Sequence, residues 1–110
     1  MPMVTVFNLR RDDPLADMEE TITRALTSMP ELAINGWEIN VVPVLAPDGF
    51  DGEVTRVNVE LWERPERSKE ALQELATRVA QGFQAVVGDD RKVKVVIKPY
   101  DVDSAGWISL

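Results

Sequence analysis

The chain has no cysteine and no histidine. Those two absences remove disulfides, thiolate nucleophiles, serine–histidine relays and the zinc sites built from Cys and His. Long apolar runs are missing too. No stretch reaches the roughly 18 apolar residues that a membrane-spanning helix needs. The amino terminus lacks the basic-then-apolar order of a secretory signal. Positive charge is scarce: 12 Lys and Arg stand against 19 Asp and Glu, a formal net charge of −7, whereas a nucleic-acid binder normally shows a basic face. The expectation is a protein that binds neither nucleic acid nor membrane, holds no metal and works in the cytoplasm.

What is present suits one compact domain. A chain of 110 residues with 45% hydrophobic content can bury roughly two thirds of its unfolded surface. The run Met3–Leu9 is rich in β-branched and apolar types and reads as a strand. Asp13-Pro14 has the form of a helix N-cap followed by proline at the first helical position. From there Leu15, Met18, Ile22, Ala25, Leu26 and Met29 recur at helical spacing, and Pro30 ends the run. Asn35-Gly36 signals a turn. Trp37 to Leu45 reads as a second strand, whose Pro43 suits an edge or a bulge.

The segment 46–53 is a polar, glycine-containing loop. Val54 to Trp62 alternates cleanly, with Val57, Val59 and Leu61 on one side and Arg56, Asn58 and Glu60 on the other. After Pro65, the span Glu66 to Val87 carries one apolar stripe of Leu72, Leu75, Ala76, Val79, Ala80, Phe83, Val86 and Val87. Ser68 is its candidate N-cap and Gly88 its C-terminal stop. Val93 to Ile97 reads as a fourth strand, ended by Pro99. The tail Ser104–Leu110 is short and apolar enough to dock on something.

The order is therefore β-α-β twice, with pseudo-repeats over about 2–45 and 54–100 in a single domain spanning 1–110. The fold class expected is α/β (α+β): a four-stranded mixed sheet with both helices on one face, since each crossover should be right-handed. Strands one, two and four carry apolar residues on both sides, as in Val41, Val42 and Val44, or Val95, Val96 and Ile97. With only two helices to cover one face, a second subunit is the simplest cover for the other.

Two groups could carry chemistry. If Met1 is removed, Pro2 becomes a free secondary amine at the start of a buried strand. Burial lowers the pKa of an ammonium, and a base with a pKa near the working pH is efficient. Read by itself, Pro2 is equally an ordinary residue at a strand edge. Arg64 and Arg67 stand three apart where the third strand gives way to the second helix. A guanidinium pairs a carboxylate bidentately, and a helix N-terminus favours an anion; both arginines could instead pair with Glu63, Glu66 or Glu70.

The β-α-β repeat, Pro2 after the initiator Met, and Arg64-Pro65-Glu66-Arg67-Ser68 at the second strand–helix junction together resemble the tautomerase superfamily. The spacing of Arg64 and Arg67 is similar to that of the carboxylate-binding arginines of the cis-3-chloroacrylic acid dehalogenase group, and the malonate semialdehyde decarboxylase group has arginines at this junction. Tyr100–Trp107 resembles the Gly-Trp-bearing tail of the macrophage migration inhibitory factor group. Arg10-Arg11 lies near, though one residue out of register with, an arginine of the 4-oxalocrotonate tautomerase group.

The resemblance implies catalysis by Pro2 as general base in keto–enol or double-bond isomerisation, without a cofactor. It implies a small carboxylate substrate held by Arg64, with Arg67 or Arg11 assisting, and an apolar wall from Trp107 or Trp62. It also implies a homo-oligomer, a trimer or larger. The chain departs from the pattern in having no histidine to position water, which speaks against halide hydrolysis. It also has Lys94-Val95-Val96-Ile97 where relatives place Tyr or Asn. The alternative is a non-catalytic protein of the same fold, binding a small anion or only its own subunits.

Overall fold

The computed structural model describes residues 2–47 and 53–110. Met1 and most of the polar 46–53 loop lie outside the described residues. Four strands and two α-helices follow in the order β1 (Met3–Leu9), α1 (Leu15–Leu26), β2 (Asn40–Leu45), β3 (Val54–Trp62), α2 (Lys69–Val87) and β4 (Lys92–Tyr100). Two short 3-10 turns, Pro30–Leu32 and Gly36–Glu38, lie between α1 and β2. The sheet runs β2-β1-β3-β4. β1 and β2 are parallel, as are β3 and β4, and the two halves meet along the antiparallel pair β1 and β3. The two β-α-β units of the sequence are thus joined at the sheet's centre.

Strand alternation divides the sheet into two faces. Val4 and Val6 of β1 pair with Val59 and Val57 of β3, which in turn pair with Ile97 and Val95 of β4. This face is covered by both helices. Val4, Leu9, Ile22, Leu26, Leu61, Leu75, Val79 and Phe83 are sealed from solvent within one core. Met18, Ile22, Ala25 and Leu26 form the buried stripe of α1, and Leu72, Leu75, Val79 and Phe83 that of α2. Gly82 lets the helices approach: a Cβ there would meet Thr21 Cγ2 at 3.1 Å.

The other face is open. Its rows read Val42, Thr5, Asn58, Val96 and then Asn40, Met3, Glu60, Lys98 across the four strands. Met3, Phe7, Val42, Val44 and Val96 are all exposed, so the second apolar side read from the strands is uncovered in the single chain.

Where the elements differ from expectation, a specific interaction is responsible. Asp13 makes no cap; α1 begins after Pro14 without a side-chain cap. The Asp13 carboxylate instead accepts the Arg10 backbone N–H at 2.7 Å and pairs with the buried Arg91. Ser68 does cap α2, its Oγ accepting the Ala71 N–H at 3.1 Å, which places the helix start three residues later than Glu66. Gly88 closes α2 with φ of +80°, a backbone conformation that suits glycine. β2 begins at Asn40, because Gly36–Glu38 coils into a 3-10 turn. Pro99 does not end β4, which runs on to Tyr100. β4 is an edge strand, where a missing N–H costs no ladder bond on the open side; Pro43 sits in the other edge strand, β2. A register shift between Val6 and Leu9 centres on Asn8, at φ +68°. Asparagine tolerates this left-handed conformation, and its Nδ2 donates to the Val54 carbonyl at 2.9 Å.

No helix among the described residues is long and apolar enough to cross a membrane.

Candidate functional site

Pro2 is buried and stands at the lip of the sheet. Its carbonyl accepts the Asn40 N–H at 3.1 Å, which ties it to the start of β2. Met3 pairs with Glu60, so the next step of the register sets Pro2 beside Leu61, and Leu61 pairs with Pro99. Continued alternation puts Pro2 on the helix-covered face with Val4 and Val6. Because β1 and β3 are antiparallel, the start of β1 lies at the end of β3. That topology brings the β3–α2 connection, with Arg64 and Arg67, to the same end of the sheet as Pro2.

The two arginines are held very differently. The Arg64 side chain is 52% exposed and pairs with Glu66 at 3.7 Å. Arg67 is only 7% exposed. Its Nε and Nη2 donate to the Leu32 carbonyl at 3.0 and 2.9 Å, and its Nη1 donates to the Trp62 carbonyl at 2.7 Å. One planar guanidinium therefore ties the turn after α1 to the end of β3. Burial pulls the Arg67 pKa below its ordinary value, as does the like charge of Arg64, while Glu66 and Glu38 oppose both. Glu38, half-buried in the 3-10 turn before β2, is a member of this cluster that sequence spacing did not suggest; it stands 29 positions before Arg67 and only the fold brings them together.

A cavity of about 500 Å³ opens at this end between α2 and β4, lined by Arg67, Lys69, Leu72, Ile97 and Pro99 among others. Its size suits a small ligand. Arg67 supplies its buried polar wall.

Trp107 stacks on Trp62, with ring centroids 5.8 Å apart and planes tilted by 51°. Trp62 follows Glu60 on the open face, so this aromatic pair lies on the side opposite Pro2, with Trp107 itself 62% exposed. The rest of the tail does not dock: Ile108 is 80% exposed. Arg11 is exposed in the turn that follows β1. Seven strand residues separate that turn from Pro2, a span of roughly 23 Å, so one chain does not bring Arg11 to Pro2. The far end is organised by a different group. Arg91 Nη2 and Nη1 grip the two Asp13 oxygens at 2.5 and 2.7 Å, and Arg10 pairs with Asp90 at 2.5 Å.

No family model and no curated protein matches the chain. Solved structures do. A fused 4-OT determined as an asymmetric trimer superposes with a TM-score of 0.76 at 14% identity, over 96% of this chain and 91% of that one. A malonate semialdehyde decarboxylase inhibited by 3-bromopropiolate gives 0.68 at 13% identity, over 99% and 89%. A member of the cis-3-chloroacrylic acid dehalogenase family gives 0.75 at 10% identity, over 96% and 79%. The likeness is one of fold: the β-α-β repeat read from the sequence and the four-stranded mixed sheet with two helices are shared with these solved structures.

Proposed function

We propose that this tautomerase-like fold serves an enzyme in which Pro2, freed by removal of Met1, is the general base for isomerising a small carboxylate-bearing substrate. The reading is supported by the strand register, which sets the buried Pro2 at the same end of the sheet as the β3–α2 connection that carries Arg64 and Arg67. The neutral Pro2 nitrogen takes a proton from an enol oxygen or from carbon next to a carbonyl and returns it elsewhere on the same molecule. Proton transfer within one substrate balances without a cofactor. Arg64, exposed and loosely paired, can swing to a substrate carboxylate and stabilise the enolate charge. Arg67 forms the buried wall beside it, and Trp107 on Trp62 shields the far side. Arg11 is left out of the proposed site of the same chain.

A homo-oligomer is part of the proposal. The exposed Met3, Phe7, Val42 and Val44 form an apolar half-face that a second copy would cover, and a trimer is the assembly named for solved neighbours. The proposed compartment is the cytoplasm. The same face supports the second reading, a non-catalytic oligomer of this fold.

The test is direct. Intact mass first identifies protein lacking Met1, since an acylated proline nitrogen is an amide and cannot act as a base. That material should tautomerise an enol acid, and Pro2→Ala should abolish the turnover while the circular dichroism spectrum stays unchanged. Equal turnover by Pro2→Ala would end the proline mechanism.

A further inference from the structure

We propose that the cationic half of the open sheet face binds a multiply charged oxyanion shared between copies of the chain, and that this anion strengthens their association. The inference rests on the reading of the protein as a homo-oligomer and names a ligand that its interface would take.

The open face divides by chemistry along the seam between β1 and β3. Its β1 and β2 rows carry no charged residue. Its β3 and β4 rows carry Arg56, Lys92, Lys94 and Lys98, all exposed, with Glu60 as the one acid. Register sets Arg56 beside Lys94, and Glu60 beside Lys98. Lys92 stands two residues from Lys94, roughly 7 Å along the strand. Three cations thus surround one spot, on a chain whose net charge is −7. Elsewhere Arg10, Arg24, Arg64, Arg78 and Arg91 each pair with a carboxylate. Among the described residues none of the four cations on this face does so. Arg56 Nε donates to the neutral Asn58 Oδ1 at 2.7 Å, which holds the guanidinium over the sheet. Lysines commonly guard an edge strand against stray pairing. That accounts for the lysines of β4 but not for Arg56, which lies on the central strand β3.

Size brings this half-face into the interface. Two strands of seven residues cover about 220 Å² in projection, whereas a stable interface takes about 800 Å² from each partner. A second copy seated on Met3, Phe7, Val42 and Val44 therefore reaches over β3 and β4 as well. Phe7 pairs with Arg56 in register, so the cations begin one strand away from the apolar seat. Closure draws the cations of both copies together and out of water, where like charges side by side are costly. Glu60 is too little to offset them. An oxyanion with two or more charges can, because its oxygens accept from a guanidinium and from ammonium groups together. On one chain the strip is flat and wet and would hold such an ion weakly. Two copies closing on it add donors and exclude water.

The experiment is thermal unfolding with light scattering, in tripolyphosphate or citrate against sodium chloride at equal ionic strength. For the wild type a multivalent anion should raise Tm by about 5 °C or more at saturation and enlarge the share of oligomer. A gain confined to one of the two anions assigns the site to phosphate or to carboxylate chemistry; a gain with both assigns it to charge. The double variant Arg56→Gln, Lys94→Gln should keep less than about 1 °C of the gain. In chloride the same variant should associate about 10-fold more tightly than the wild type, because the repulsion is gone. Arg24→Gln, at a cation already paired with Glu20 on α1, should respond as the wild type does. An oligomer equally stable in all three salts overturns the proposal and leaves the oligomer reading standing. So does a double variant that keeps the full gain, whether or not it aggregates through an unguarded edge. A chain that is monomeric in every salt ends both.

Discussion

Asp13→Ala should cost this protein about 3 kcal/mol of stability, through a group remote from Pro2. The Asp13 and Arg91 side chains are 5% and 4% exposed, with Arg91 Nη2 2.5 Å from Asp13 Oδ1. Arg91 Nη1 meets Asp13 Oδ2 at 2.7 Å and the Thr55 hydroxyl at 3.3 Å. The pair joins the turn after β1 to the head of β4 and to β3. Deleting the carboxylate leaves a buried guanidinium that cannot neutralise itself. Stranding one partner of a buried pair costs about 3–5 kcal/mol. The low end is expected, because Asp90 Oδ1 lies 4.0 Å from Arg91 Nε and can move closer.

Urea unfolding should show a reduced midpoint with an unchanged slope, and the melting temperature should fall by roughly 12 °C. Removing both charges with Asp13→Leu and Arg91→Met should recover most of the loss, since a buried pair replaced by apolar groups is often neutral. The pH dependence has a definite sign. Burial pushes the Asp13 carboxyl upward, but hydrogen bonds from Arg91 and from the Arg10 N–H, with the charges of both, outweigh it and hold the carboxyl below its usual range. A depressed folded value means the stabilisation is complete above the unfolded pKa, about 3.9. It is lost as pH falls through the folded value, and Asp13→Asn should flatten that acid limb. A loss under 1 kcal/mol for Asp13→Ala, with the acid limb unchanged in Asp13→Asn, would refute the assignment of a buried ion pair.

Arg64→Ala should raise KM for carboxylate substrates by about 10-fold or more, the loss of one charge-assisted contact, with little change on a neutral analogue; equal losses on both would point to a folding defect. Ser68→Ala should remove about 1 kcal/mol by deleting the α2 cap, measurable by urea unfolding. Phe7→Lys, on the open face and 39% exposed, should leave the secondary structure intact and lower the mass found by light scattering, and an unchanged mass would place the interface elsewhere.

Local signals carried most of the element pattern. Ser68 and Gly88 marked the limits of α2 through capping chemistry. The alternation of Val57, Val59 and Leu61 named the buried side of β3, and Pro43 marked an edge strand by its missing donor. The boundaries that shifted did so under long-range demand. The Asp13 carboxylate was drawn from the cap of α1 by Arg91, 78 positions away. Pro99 stayed inside β4 because the sheet order made that strand an edge.

The sequence by itself determined the two β-α-β units, the apolar stripes that pack on the sheet, and the placing of Arg64 and Arg67 at a strand–helix junction, because hydrophobic period and capping act over a few residues. Only the tertiary structure decided that Arg64 and Arg67 differ. Three backbone bonds to Leu32 and Trp62 bury Arg67 and leave Arg64 in solvent, and nothing in their shared junction distinguishes them. It also decided that Pro2 lies at the same end of the sheet as this junction while Arg11 does not: the antiparallel pairing of β1 with β3 sets the beginning of one strand against the end of the other, which local sequence cannot encode.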